Sequence, residues 1–211
     1  MGGPAGIIGC PGSGKTSLAR EMASRLVSET GCPLIIVDTG RNELFDDQYH
    51  AASLQEVLEI VWGEGEHVTW TPASPDEFES LCGSIYNVAK DARERRAEVQ
   101  LPILLLDELR NTFGLQKVIR PKFAQCLIEW RRTLTGCLVT SQLYHDGGNA
   151  LKGLCEEWYF HRMLAPDDQK DIRADYGYEP EVIAALPSRK ECALAGRPLS
   201  DAYIHRKVGF S

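Results

Sequence analysis

Short apolar runs recur along the chain at residues 5–8, 33–37, 101–106, 137–140 and 158–160, and helical patterns lie between them. This alternation implies a parallel sheet with helices on both faces, an α/β fold. After the first run, Leu18, Met22 and Leu26 repeat at helical spacing. The stretch Ser74, Pro75, Asp76, Glu77 is a capping box with proline at the first helical position, and it opens a helix whose Phe78, Leu81, Ile85, Val88 and Ala92 share one face. Residues 93–96, rich in arginine, form its wet end. A further helix is expected from Pro121, because the residue before a proline is pushed out of the α region; Phe123, Leu127, Trp130 and Leu134 give it an apolar stripe. Residues 110–120 are left as a loop. Pro166 with Asp167 and Asp168 marks another helix start and Gly177 its stop, while the last twenty residues read as a short hairpin. There is no internal repeat and no low-complexity segment.

Length and composition narrow the setting. At 211 residues with 43% hydrophobic content, residues 1–211 are expected to form a single domain around one core. No apolar run approaches the roughly 20 residues that span a bilayer, and Met1 begins almost on the first strand, so a soluble, intracellular protein without a signal peptide is expected. The seven cysteines show no CxxC or Cys/His ligand spacing, which indicates reduced thiols rather than a zinc site or a secreted disulfide framework. The net charge of −7 argues against coating nucleic acid by bulk electrostatics but leaves local contact open. Basic residues group at Lys117, Arg120 and Lys122, at Arg131 and Arg132, and near the C-terminus; each group taken alone reads as a solvated face.

Two stretches carry chemistry. Behind the first apolar run, Gly9, Cys10, Pro11, Gly12, Ser13, Gly14, Lys15 and Thr16 complete the phosphate-loop spacing GxxxxGK[ST], with Ser17 following. The glycines let backbone N–H groups turn inward around the β- and γ-phosphates of a nucleotide, Lys15 supplies a point charge, and the Thr16 hydroxyl suits Mg²⁺. The helix that follows presents its positive end to the phosphates. Cys10 could make such a site sensitive to oxidation, or it is a small filler. Further on, the run 101–106 ends in Asp107 and Glu108, a Walker B signature. The aspartate can hold the Mg²⁺ shell and the glutamate can polarise the water that attacks the γ-phosphate. A kinase must exclude water, so a glutamate in that position indicates hydrolysis. The strand at 137–140 runs into Ser141 and Gln142, whose amide could touch the γ-phosphate or the water; a strand-end cap is the alternative.

A strand ending in Asp-Glu, a basic loop, a helix bearing arginines and a strand closing in Ser-Gln together resemble the FtsK/HerA superfamily of ring-forming DNA-pumping ATPases. Within it the chain most resembles the genome-packaging ATPases of tailless icosahedral viruses with an internal membrane. The similarity runs from Gly6 to about Gly177 and takes in Glu157 to Arg162 followed by Pro166 and Asp167. The resemblance implies a RecA/ASCE-like P-loop NTPase of three αβα layers and ATP and Mg²⁺ as cofactors. By motif, Lys15 and Thr16 carry over as phosphate and metal contacts, Asp107 as the magnesium residue, Glu108 as the base and Gln142 as the sensor. It also implies an arginine reaching the neighbouring subunit's nucleotide. Arg131 and Arg132 lie near the matching place, the first on the margin of the apolar stripe and the second pointing away from it at about 100° per residue; two solvated arginines are the alternative. Arg110 and Arg162 are further candidates. Gln142 is followed by Leu143 and Tyr144 where many relatives have Gln-Arg-Pro.

The expected function is therefore an ATP-driven translocase of double-stranded DNA acting as a homo-oligomeric ring, hexamer or pentamer, in viral genome packaging. It would work in the host cytoplasm or on the virion, without inserting into a membrane itself, and attachment would come from a capsid-vertex or membrane protein. Lys117, Arg120 and Lys122, just beyond the catalytic acids, are the candidate DNA contacts, reading phosphates and not bases. Two rivals remain: a nucleotide or small-molecule kinase, and a nucleotide-regulated assembly protein that does not pump. A GTPase is disfavoured because no Asn-Lys-x-Asp motif occurs.

Overall fold

The computed structural model describes residues 3–38, 49–109, 119–144 and 148–208. Its centre is an eight-stranded sheet with the spatial order β3-β4-β2-β5-β6-β1-β7-β8. In chain order the strands are β1 (Ala5–Ile8), β2 (Leu34–Asp38), β3 (Tyr49–Ala51), β4 (Val68–Trp70), β5 (Ile103–Asp107), β6 (Gly136–Ser141), β7 (Glu157–His161) and β8 (Tyr203–Lys207). All neighbours pair in parallel except β7 with β8. The P-loop strand β1 is thus separated from the acid-bearing strand β5 by β6, so β6 lies against both halves of the site.

Burial explains why these strands read as continuous apolar runs. Alternate side chains point to opposite faces, and both faces are covered. Ile7, Leu34, Ile36, Ile103, Leu105 and Leu138 join a core with Leu18, Met22, Ala23 and Leu26 of α1 (Lys15–Thr30). Their neighbours Ile8, Ile35, Val37, Leu104, Leu106 and Val139 face the other side. There they meet Phe78, Leu81 and Ile85 of α3 (Pro75–Arg95) and Phe123 and Leu127 of α4 (Pro121–Ile128). The expected helical stripe on α3 is shifted slightly: Cys82 and Ala89 are buried with Phe78, Leu81 and Ile85, whereas Val88 and Ala92 are half-buried. Ser74 caps the helix as its sequence predicts, accepting from the Glu77 N–H at 3.2 Å.

Three details depart from the expectations. Strands β3 and β4 continue the sheet beyond β2, because β4 is three buried residues flanked by polar ones and β3 is mostly exposed. The helix from Pro121 breaks at Glu129 and resumes as α5 (Trp130–Thr133), and the Thr133 hydroxyl lies 2.9 Å from the Cys126 carbonyl and 3.1 Å from that of Glu129. A hydroxyl inserted into the ladder at this point accounts for the break. Among the described residues the last twenty form no hairpin of their own: α9 (Arg189–Leu194) and a 3₁₀ turn lead into β8, which pairs antiparallel with β7 some forty residues earlier. Among the described residues the remaining α-helices are α2 (Leu54–Glu59), which a π-helical turn (Ile60–Glu64) extends, α6 (Gly148–Leu154), α7 (Pro166–Tyr176) and α8 (Pro180–Ala184), with Gly177 closing α7 in the left-handed region as expected.

Candidate nucleotide site

The site lies at the carboxyl edge of the sheet, where β1, β5 and β6 all end. Residues 9–14 connect β1 to α1, and Gly12 and Gly14 take φ of 74° and 106°, which a side chain would disfavour. Helix α1 starts at Lys15 with no side-chain cap, so its first amides are left for a ligand in the loop. The loop is braced from outside the motif. Gly9 N–H donates to the Ser141 carbonyl at 3.2 Å and Cys10 N–H to the Arg162 carbonyl at 2.8 Å. His161, fully buried, places Nδ1 3.1 Å from the Ser13 carbonyl, which accepts the proton of that neutral ring. The Arg189 amide approaches the same carbonyl at 3.4 Å, and its side chain packs where a Cβ on Gly14 would stand.

Lys15 is 8% exposed and its ammonium donates to the Cys10 carbonyl at 3.2 Å. Burial lowers its pKa, and the nearby Glu108, Cys10 and Asp107 act in the opposite sense. An anion in the loop would act in the same sense as those acids and favour the ammonium further, so the arrangement suits phosphate. Asp107 is 3% exposed and accepts the Thr140 hydroxyl at 2.8 Å. Glu108 follows in the left-handed region at φ 59°, an uncommon conformation for a residue with a Cβ. Its N–H donates to the Thr140 hydroxyl at 2.9 Å and its Oε1 accepts the Gln142 N–H at 3.3 Å. Burial raises the Glu108 pKa, while hydrogen bonds from Gln142 and the Lys15 charge oppose the rise. A carboxylate pushed upward in this way is a better proton acceptor.

The donor set suits a hard cation. A hydroxyl on Thr16 and a carboxylate on Asp107 are oxygen ligands of the kind Mg²⁺ takes, with phosphate and water completing its shell. Among the described residues no group of three His, Cys, Asp or Glu could hold a metal without such help.

The structure brings together Lys15, Asp107, Glu108 and Gln142. It does not bring Arg131 and Arg132 there. These sit on α5 at the opposite edge of the sheet, Arg131 lying 3.8 Å from Glu156, which precedes β7, with its side chain 77% exposed. The six residues of β6 put about 20 Å between them and their own loop. Lys117 and Arg110 fall outside the described residues. Arg120 lies at the carboxyl edge but pairs with Asp76 at 2.8 Å, and exposed Lys122 places its ammonium 5.8 Å from the Tyr86 ring centre. Arg162 pairs with Glu191 at 3.4 Å behind the loop. Thr140, His161 and Arg189 are site residues that the motifs do not reveal. Thr140 could have been suspected from its place two residues before Gln142; nothing in the sequence points to the other two.

The seven cysteines are all free, and no described helix is long and apolar enough to cross a membrane. No protein-family model and no curated protein sequence matches the chain. Solved structures do. The genome packaging NTPase B204 from Sulfolobus turreted icosahedral virus 2, in complex with ATP-gammaS, is 14% identical over 89% of each chain with a TM-score of 0.64. The DNA-packaging ATPase B204 from Sulfolobus Turreted Icosahedral Virus is 18% identical, over 87% of this chain and 86% of that one, with a TM-score of 0.62. ATPases 2 and 3 of EssC from Geobacillus thermodenitrificans are 10% identical over 84% of this chain and 35% of that one, with a TM-score of 0.52. The chain thus has the mainly parallel P-loop NTPase fold that these ATPases share, as its resemblance to the FtsK/HerA superfamily implies.

Proposed function

We propose that the protein is an ATP-hydrolysing motor that moves double-stranded DNA as a ring, in the packaging of a viral genome. The observation that carries this reading is the contact of Glu108 with Gln142 beside Lys15, which puts a raised-pKa carboxylate at the phosphate end of the site. Residues 9–17 hold the triphosphate through backbone amides and the Lys15 ammonium. Thr16 and Asp107 hold Mg²⁺, which when bound offsets charge on the phosphates. Glu108 takes a proton from the attacking water, and Gln142, bonded to Glu108, registers the change at the γ-phosphate. A kinase would have no use for a base aimed at water. The match to the genome packaging NTPase along 89% of each chain, against 35% of the EssC chain, supports the packaging role.

Arg131 and Arg132 cannot reach their own nucleotide, so either serves only in trans, at the loop of a neighbouring subunit. The arginine stabilises charge that develops in the transition state. Lys117, Arg120 and Lys122 meet the DNA backbone in the ring's pore, and Lys122 carries the greater share of the described pair because Asp76 offsets Arg120. Attachment to a capsid vertex or membrane comes from a partner protein, and residues 1–211 work as one motor domain.

The test is the ATPase rate with and without duplex DNA. Duplex of any sequence should raise the rate, and replacing Lys117, Arg120 and Lys122 together by alanine should weaken DNA binding and flatten its salt dependence while leaving basal hydrolysis intact. Equal rates with and without duplex would refute the motor and favour the assembly protein. Phosphate transfer to a small acceptor would favour the kinase.

A further inference from the structure

We propose that Thr140 is the positioning residue for both acids of the site, and that one hydroxyl sets the orientation of Asp107 and Glu108 together. The inference rests on the hydrolytic reading of those acids. Thr140 lies on β6, next to Val139, which pairs with Leu106 of β5, so its side chain stands beside the end of the acid-bearing strand. It is 1% exposed. A hydroxyl has one proton and two lone pairs, and both capacities are used here. The proton goes to Asp107 Oδ1 at 2.8 Å, and a lone pair accepts the Glu108 N–H at 2.9 Å.

The second bond has a particular purpose. Glu108 sits at φ 59°, where a residue with a Cβ does not rest unless its surroundings hold it. The Thr140 oxygen fixes the amide of that residue and so the direction in which its side chain leaves the backbone. The same oxygen, through its proton, fixes the carboxylate rotamer of the preceding residue. Ser141 ends the strand and Gln142 follows it, and the Gln142 N–H reaches Glu108 Oε1 at 3.3 Å. The end of β6 and the residue just after it therefore grip Glu108 at both its amide and its carboxylate. Valine fills nearly the same volume and can make neither bond; serine can make both.

The experiment compares Thr140→Val, Thr140→Ser and Glu108→Gln with the wild type. Thr140→Val should lower kcat by about tenfold or more, as misplaced reacting groups do, with KM for ATP changed by less than about threefold. A second readout needs no turnover: in thermal melts with ATP, the Mg²⁺ concentration giving half of the stabilisation should rise several-fold in Thr140→Val and stay near the wild-type value in Thr140→Ser. Serine should also restore most of kcat. If Thr140→Val does not fold, Thr140→Ala makes the same comparison. Wild-type kcat and Mg²⁺ requirement in Thr140→Val, with Glu108→Gln inactive, would overturn this inference alone. Serine as slow as valine would overturn it too. Wild-type turnover in Glu108→Gln would remove the hydrolytic reading and this inference with it.

Discussion

Glu108 bears two costs at once, a left-handed backbone at φ 59° and a carboxylate whose pKa burial raises. Both should be relieved by substitutions that, on the proposed role, would end hydrolysis. Glu108→Gly should raise the unfolding free energy by about 0.5–1 kcal/mol, since glycine carries no left-handed penalty although it loses more chain entropy; denaturant melts would show it. The acid limb of the pH–rate profile should lie above the ordinary carboxylate range for the same reason. His161 is shifted the other way. Burial, with the charges of Lys15 and Arg189, pulls its pKa down to about 4 from 6.5. The folded ring stays neutral while the unfolded chain takes up a proton near pH 6.5, so stability present above that pH is lost as pH falls toward 4. The loss is on the order of 2–3 kcal/mol. His161→Gln, which keeps a donor for the Ser13 carbonyl, should flatten stability between pH 4.5 and 7 in urea titrations; an unchanged slope would assign the titration elsewhere. Lys15, Asp107 and Glu108 were legible as candidates because each belongs to a short motif directly behind an apolar strand. His161 and Arg189 were not, because they act by bracing a backbone carbonyl from distant segments, and any residue that donates there would serve.

At the level of elements, strand identity could be read wherever both faces are buried, as at Ile103 to Asp107. It failed at β3 and β4, whose three-residue lengths carry no period long enough to separate from loop. At β8 the strand was legible but its partner was not, since pairing with β7 across some forty residues leaves no local turn signal. The close approach of β1 to β7 gives a direct check on the packing. A Cβ on Gly6 would fall 2.2 Å from the ring of Trp158, which is fully buried. Gly6→Ala should therefore cost about 1–3 kcal/mol, read as a lowered Tm; no change would mean that β7 is displaced from this register. Helix α9 matters to the site despite its distance in sequence. Ser188 and Glu191 form its capping box, and Glu191 also pairs with Arg162. Ser188→Ala should cost about 1 kcal/mol and weaken nucleotide binding, because the Arg189 amide beside the Ser13 carbonyl begins that helix.

Across the whole molecule, a net charge of −7 and a basic group that follows the acids in sequence fit the proposed motor, which would touch DNA only where a ring gathers a few cations from each subunit. The far-edge position of Arg131 and Arg132 makes subunit mixing informative. Arg131→Ala with Arg132→Ala in one chain, and Glu108→Gln in another, should each be inactive alone and regain partial hydrolysis when combined, since some interfaces then join a working base to a working arginine. No recovery would place the arginine elsewhere. Whether Glu108 activates water against the γ-phosphate is read from single-turnover hydrolysis of labelled ATP by wild type and Glu108→Gln. Release of phosphate should fall by about a hundredfold or more in the variant while ATP remains bound with wild-type affinity. Phosphate release at the wild-type rate from Glu108→Gln would show that another group activates the water.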